Sequence, residues 1–330
     1  MAWTRTTQNK RAMFADPLIF RATNALLYAQ NRRFLRRYRR QFGGRPNIAN
    51  PQRYSERMLW RKLVDRNPQF VVFCDKLATK DFIQRHCPSL PVPRTLWAGR
   101  SADEIPGDLL RQDVLVKANH GSSFNYRVRA GQCDRAGLRQ ETEQWLQRVY
   151  GTEYGEWAYS QVEPKLFVEE AVGDAEQDLI EFQVRASNGN PLLGSVIGKS
   201  KTPAQWWVYL DPDGVPTRGM EDPAGSAVKP LPPGLDIIEP YRRAVAFARQ
   251  LSVGVDYARF DFMWNGRELY GSEITVYPAG GIFDPADATV HAHLLAGWDL
   301  RQAHFLRTPP GGWWRLYAGA LNRQWRITTS

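Results

Sequence analysis

Two hydrophobic periods organise this chain. Near the N-terminus Phe34, Leu35, Tyr38 and Phe42 share one helical face, while Arg32, Arg33, Arg36, Arg37, Arg39 and Arg40 fill the other. That pattern predicts a basic amphipathic helix. GGRPNIANP (43–51) breaks it and reads as a linker. A helix is then expected over 54–64, with Met58, Leu59 and Leu63 on its apolar side, and another from near Phe73 until Pro88. Strand signals follow at 95–98, then strand, Gly-containing loop and strand across 113–128. Residues 138–150 read as helix and 165–172 as a strand running into a loop. Segment 181–198 (EFQVRASNGNPLLGSVIG) is a hairpin turning at Asn188-Gly189, and 257–276 (YARFDFMWNGRELYGSEITV) a second turning at Asn265-Gly266. Between them the Pro-rich stretch 203–233 is mostly loop with one strand near 206–210, and 240–251 is helical. A helix over 288–296 leads to a Trp-rich end. Strands and helices intermix, so the expected fold class is α+β lobes rather than one parallel sheet.

Charge changes the picture at one end. Of a net +10, residues 1–50 hold eleven Lys/Arg against only Asp16, so the remainder is close to neutral. A basic amphipathic helix suits an anionic lipid surface or an anionic polymer, tRNA included, although no nucleic-acid motif accompanies it. The bland alternative docks its apolar face on the chain's own body. At 330 residues the chain buries a large core in two or three lobes. Cys74, Cys87 and Cys133 are odd in number and lack metal spacing, which fits a reducing compartment. No run approaches a membrane span, and the apolar stretch near Leu18 is interrupted by Arg21. A cytoplasmic protein is expected, with peripheral membrane contact through residues 17–42 as an added option.

Candidate chemistry concentrates in the second hairpin. Arg259 and Asp261 lie two apart on one strand, Glu273 and Thr275 two apart on the next, so each pair shares a face. A cation and two carboxylates aimed into one space suit Mg²⁺ and phosphate, since Mg²⁺ takes few protein carboxylates and keeps oxygens of water and phosphate. Ordinary salt bridging is the rival. A strict two-residue loop would pair Asp261 with Tyr270 and turn Glu273 to the opposite face; a three-residue loop or a bulge near Gly271-Ser272 restores the pairing, and such a register shift is predicted. Lys117 ends an apolar strand before ANHGSS (118–123), a loop whose backbone N–H groups can cradle phosphate. GSVIGKS (194–200) is one residue short of the P-loop spacing and lacks a following helix; Lys199 and Lys201 remain candidates for phosphate contact. His291 and His293 are read as structural, His120 as worth mutating, and the pairs Trp206-Trp207 and Trp313-Trp314 as packing.

Taken in order, several segments resemble the ATP-grasp superfamily, in the branch typified by the teichuronopeptide-biosynthesis protein, and are similar to D-alanine–D-alanine ligase. They are NPQRYSERMLWRKL (50–63), DKLATK (75–80), VKANHGSSFN (116–125), FVEEAVGD (167–174), EFQVRASNGNP (181–191) and RFDF (259–262) with GSEITVYPAGG (271–281). The resemblance implies an ATP-grasp fold with the nucleotide held between two α+β lobes. It implies Lys76 and Lys117 on the phosphates, Gly121, Ser122 and Ser123 in a loop closing over them, and the backbone of Glu169, Glu170, Ala171 and Val172 on adenine. Glu181 matches the ribose acid, with Asp178 as its alternate; Asp261 and Glu273 match ligands for one or two Mg²⁺; Arg259 matches the arginine steadying the transferring phosphoryl group. Thr275 stands where the ligases carry a metal-binding Asn, and Gln183 where the branch carries Lys. The implied division is a basic extension and linker (1–50), an N-terminal lobe (51–112), ATP-grasp subdomains with the phosphate loop (113–170) and the metal carboxylates (171–300), and a Trp-rich tail (301–330).

The implied activity is an ATP- and Mg²⁺-dependent carboxylate–amine ligase working through an acyl phosphate, in cell-envelope polymer or specialised-metabolite synthesis. Two alternatives stand beside it: an ATP-grasp kinase acting on a hydroxyl, and a non-enzymatic protein that binds a polyanion or a membrane.

Overall fold

The computed structural model describes residues 2–173, 179–200, 202–218 and 231–327. From the N-terminus the chain forms α1 (Ala2–Gln30), α2 (Arg32–Phe42), α3 (Tyr54–Leu63), α4 (Gln69–Cys74) and α5 (Lys76–His86). Strands β1 (Thr95–Gly99), β2 (Val114–Ala118) and β3 (Asn125–Val128) follow, then α6 (Arg135–Gln147) and β4 (Leu166–Glu170). Next come β5 (Ile180–Ser187), β6 (Asn190–Gly198), β7 (Trp206–Leu210), α7 (Ile238–Leu251), β8 (Ala258–Trp264) and β9 (Leu269–Thr275). Helices α8 (Ala288–Gly297), α9 (His304–Arg307) and α10 (Trp313–Ile327) complete the described chain. The fold is α+β, as expected. No described helix is long and apolar enough to cross a membrane.

Two compact units divide the chain: 1–67 with 279–284 and 298–330, and 68–278 with 285–297. The basic extension and the Trp-rich tail therefore fall in one unit. This first unit is helical. Phe20 of α1 meets Tyr317 of α10 edge to face with ring centroids 6.3 Å apart, and Arg323 forks onto Asp16 at 2.6 and 3.1 Å. The tail is thus a packed helix, not an appendage. Helix α2 settles its own question: Leu35 and Tyr38 are buried, and the Tyr38 hydroxyl lies 3.0 Å from Ser55 Oγ. Its apolar face is docked internally, which leaves only the exposed arginines for an outside partner.

The second unit holds two antiparallel sheets, one in the order β1-β4-β2-β3 and one in the order β7-β6-β5-β8-β9. Alternation builds the larger sheet: Ile180, Phe182, Val184, Phe260, Phe262 and Ile274 go to a core shared with Ala244, Val245 and Ala248 of α7. Gly194 has no side chain because Tyr241 fills that space; a Cβ there would lie 1.9 Å from its hydroxyl. Asn188 and Gly189 both take positive φ (42° and 81°), the conformation a two-residue hairpin turn requires.

Three local expectations need correction. The helix expected from Phe73 to Pro88 is two, because Asp75 is extended and caps α5 by accepting from Leu77 N at 2.9 Å. The loop of the second hairpin is Gly266-Arg267 rather than Asn265-Gly266: Asn265 N donates to Glu268 O at 3.3 Å, and the Asn265 side chain accepts from Arg267 and Glu268 N. Helix α6 begins at Arg135, since Asp134 caps it by accepting from Gly137 N at 3.0 Å.

Candidate functional site

The bulge decides the site. Strands β8 and β9 pair Trp264 with Leu269 and Phe262 with Gly271, then shift so that Asp261 faces Glu273 and Arg259 faces Thr275. Ser272 is the extra residue. The cause lies in Gly271: its N–H donates to Pro91 O at 2.8 Å, and a Cβ there would meet Ile83 and Leu90 at 3.1 Å. Core positions Leu269, Gly271 and Ile274 therefore break the period of two by one residue, and the two carboxylates come to one face. That is the register shift expected from the sequence.

On this face Arg259 forks onto Asp261, with Nε–Oδ1 at 2.7 Å and Nη2–Oδ2 at 2.5 Å. Burial lifts the Asp261 pKa, while the carboxylate's charge outweighs the burial that would lower Arg259. Two short parallel N–H···O bonds need an ionised acceptor, so the pair is charged. The Thr275 hydroxyl donates to Asp261 Oδ2 and accepts from Arg259 Nη2, each at 3.3 Å. It orients the carboxylate.

Glu273 meets the opposite charge. Lys76 Nζ lies 2.8 Å from its Oε1 and also donates to the Gly121 carbonyl at 2.8 Å. Burial raises the Glu273 pKa, but Lys76, with Lys117 and Arg259 behind it, brings it down to about 2. The side chain is 43% exposed to the cavity, so water weakens this pair relative to a sealed one. Lys76 owes its position to two anchors: Asp75 starts α5, and the Lys76 N–H donates to Asn119 O at 3.0 Å. Asn119 in turn holds the loop to the chain before β4, accepting from Lys165 N at 2.8 Å and donating to Glu163 O at 3.1 Å.

Behind these groups lies an ion triad. Glu169 on β4 pairs with Lys117 of β2 and with Lys80 of α5, whose Nζ is 2.7 Å from Oε2. Lys80 also donates to Pro93 O at 2.7 Å and Thr95 Oγ1 at 3.1 Å. Burial raises the Glu169 pKa, yet the two ammonium groups bring the net result below the usual range; burial drives Lys80 down despite Glu169. The sequence singled out Lys76 and Lys117 but not Lys80, although its position four residues after Lys76 puts both on one face of α5. Glu169 is a sealed hub.

These residues surround a cavity of about 420 Å³ lined by Lys76, Lys117, Glu181, Arg259, Asp261 and Glu273. Ser122 and Ser123 also line it, Ser123 with a positive φ of 64°, as do Gln183, Ser200, Gln205 and Ser272, which sequence reasoning did not assign. Gly121 is buried against Phe124, where a Cβ would lie 2.6 Å from the ring. At the end of β4, Glu170 N donates to Arg94 O at 3.0 Å, and Ala171 and Val172 lie beyond the ladder. Lys199 is exposed with a φ of 51° and is not among the cavity residues; β6 runs through Gly198, so no P-loop forms. Asp178 and Lys201 lie outside the described residues. His120 is buried, burial lowers its pKa, and its Nε2 lies 3.0 Å from the Trp145 carbonyl, so the ring is structural. His293 Nε2 is 3.0 Å from Leu192 O.

Metal fit can be judged from donor chemistry. No group of three or more His, Cys, Asp or Glu suited to an ion occurs among the described residues. Asp261 and Glu273 supply two hard carboxylates facing one cavity, a set that suits Mg²⁺ completed by phosphate and water oxygens. In this arrangement Arg259 and Lys76 hold the carboxylates.

No family model matches the chain, and no curated protein matches it. Among solved structures it is similar to the L-amino acid ligase from Bacillus licheniformis (TM-score 0.40, 14% identity), over 64% of this chain and 44% of that one. The D-alanine–D-alanine ligase from Bacillus anthracis complexed with ATP gives a TM-score of 0.39 at 16% identity, over 78% of this chain and 68% of that one. The ATP-grasp ligase PsnB, complexed with a precursor variant, Mg and ADP, gives 0.38 at 14% identity, over 74% and 67%.

Proposed function

We propose that this chain has an ATP-grasp fold and is an ATP- and Mg²⁺-dependent ligase joining a carboxylate to an amine. One observation carries the reading: the bulge at Ser272 turns Glu273 to face Asp261, opposite Lys76 and Lys117 in one cavity. The volume of that cavity, about 420 Å³, is in the range of small-ligand sites.

In this reading Lys76 and Lys117 oppose the charge of the triphosphate, and the loop of Gly121, Ser122 and Ser123 offers backbone N–H groups to it. Ala171 and Val172 meet the adenine and Glu181 the ribose. Asp261 and Glu273 hold Mg²⁺, which when bound neutralises and aligns the phosphates. Thr275 keeps Asp261 oriented. Arg259 then opposes charge on the γ-phosphoryl group as a substrate carboxylate oxygen attacks it, giving an acyl phosphate and ADP; an amine displaces phosphate. Positioning and charge do the catalysis, so no protein nucleophile is needed. Cell-envelope polymer or specialised-metabolite synthesis is the context we infer, with an anionic surface as partner of the α2 arginines.

The test is ADP release from ATP and Mg²⁺ against panels of carboxylic acids and amines. Release is expected to need both, and Asp261→Asn to lower it about 10²-fold or more. Release that needs a hydroxyl acceptor and no amine would make the enzyme a kinase. Release indifferent to Asp261→Asn would remove the metal assignment.

A further inference from the structure

A second cavity lies within the first unit, along the break at Asn31 between α1 and α2. It measures about 410 Å³, in the range of small-ligand sites, and is rimmed by Arg32, Arg36, Arg39 and Arg45. The first three recur at i, i+4 and i+7, so they share one face of α2. Arg45 joins them because Gly43 ends α2 in the left-handed conformation (φ 70°), its N–H donating to Arg39 O at 2.9 Å, and turns the chain back. The Arg45 guanidinium then sits 5.7 Å from the centre of the Tyr28 ring. Room comes from the small side chains of Ala25 and Ala29, while Tyr28 and Leu35 form an apolar wall. A neighbouring hollow of about 280 Å³ shares Arg36 and Arg39 and adds Arg40.

No carboxylate answers these charges. None lines either hollow, and among the described residues none of the five arginines forms an ion pair. Glu56, the carboxylate within electrostatic reach of Tyr28, accepts instead from the N–H groups of Asn47, Gln52 and Arg53 at 2.7, 2.9 and 3.1 Å. The dipole of α2 favours Arg39 and Arg40 in its last turn, but not Arg32 and Arg36 nearer its start. Like charges four residues apart also repel along the helix. Guanidinium groups fork onto phosphate oxygens, and one phosphate monoester carries roughly two negative charges at neutral pH. A single such group leaves a rim of four arginines half balanced; two together match it.

We propose that this cavity binds a paired phosphate group, a diphosphate or a bisphosphate. The proposal deepens the reading of an anionic partner for α2, giving it one ligand class and one place, and does not depend on the ligase reading. A lipid headgroup and a soluble compound present the same chemistry to the four arginines, so the carrier is a separate question.

Isothermal titration of the full chain tests the site without Mg²⁺ at 0.15 M salt, where the screening length is about 8 Å. The probes are inorganic pyrophosphate and inorganic phosphate, and pyrophosphate is expected to bind about tenfold tighter or more. Arg36→Gln with Arg39→Gln should weaken pyrophosphate about tenfold or more, while Arg21→Gln with Arg33→Gln, which removes the same charge outside the cavity, should change it less than about twofold. All four of these arginines are exposed, so both double variants should melt within about 2 °C of the natural chain. Equal losses in the two variants overturn the proposal and leave only diffuse attraction to α2. Pyrophosphate binding no tighter than phosphate overturns it too. So does binding that survives Arg36→Gln with Arg39→Gln and vanishes with Lys76→Met, which places the anion in the first cavity. Vesicles of phosphatidylcholine with a phosphatidylinositol bisphosphate, compared with phosphatidylserine vesicles of equal charge, identify the carrier. A preference for the bisphosphate lipid that is lost in the Arg36→Gln, Arg39→Gln variant supports the site with a lipid carrier; pyrophosphate binding without that preference supports it with a soluble one. Pelleting with both vesicle types alike, and no pyrophosphate binding, removes the cavity site and leaves the membrane reading standing.

Discussion

Glu169 shows what single side chains contribute. It is 2% exposed and answers two ammonium groups at once. Glu169→Gln leaves the buried Lys80 without its paired carboxylate and removes the close partner of Lys117, so a loss of about 3–5 kcal/mol is expected in urea unfolding. The acid side follows from the same pair. The folded pKa lies below the usual one, so between the unfolded value near 4.3 and the folded value the unfolded chain binds the extra proton. Stability therefore rises with pH across that window and is lost as pH falls through the folded value. Melting curves between about pH 3 and 6 should show a shallower slope for Glu169→Gln than for the natural chain. Such charges are hard to read from sequence. Lys80 looks like a surface residue in its segment, because only the packing of distant elements buries it; Lys76, Lys117, Asp261 and Glu273 were legible because motif spacing, not burial, marks them.

At the scale of elements, local rules set most boundaries. Both hairpins were legible from their Asn-Gly pairs, and the bulge from the parity conflict between Asp261 and Glu273. The exact loop of the second hairpin was not, because the Asn265 side chain captures two backbone N–H groups and moves the turn by one residue. Asp75 offers a direct check on α5: Asp75→Ala is expected to cost about 1 kcal/mol as a lost cap, and to weaken ATP binding in isothermal titration by displacing Lys76. The long α1 escaped notice because its apolar residues follow no strong helical stripe. Its order comes from α10, through Phe20, Asp16 and Thr23, which accepts from Trp313 Nε1 at 3.1 Å.

For the whole molecule, the asymmetry of charge matters most. The docked apolar face of α2 means that its own attraction to a membrane runs through its exposed arginines, beside the exposed Leu18 and Leu26 of α1. Pelleting with anionic vesicles at low salt is expected, and is lost both in an Arg36→Glu, Arg37→Glu, Arg40→Glu variant and near 0.5 M salt, where the screening length falls to about 4 Å. The melting temperature of that variant should stay within about 2 °C of the natural chain. Deleting residues 1–42 tests less than the sequence suggests, because it removes the partner of α10 as well as the charge.

That pairing has a consequence for biogenesis. Thr23 and Trp313 are 290 positions apart, and Asp16 and Arg323 are 307 apart. A ribosome adding about 5–20 residues per second needs roughly a quarter of a minute to a minute to bridge such a gap. During that interval the leading helix has been made and its α10 partner has not. Newly made chains should therefore lean on holding chaperones until α10 emerges, and nonsense mutations that remove α10 should yield products that are degraded rather than merely shortened.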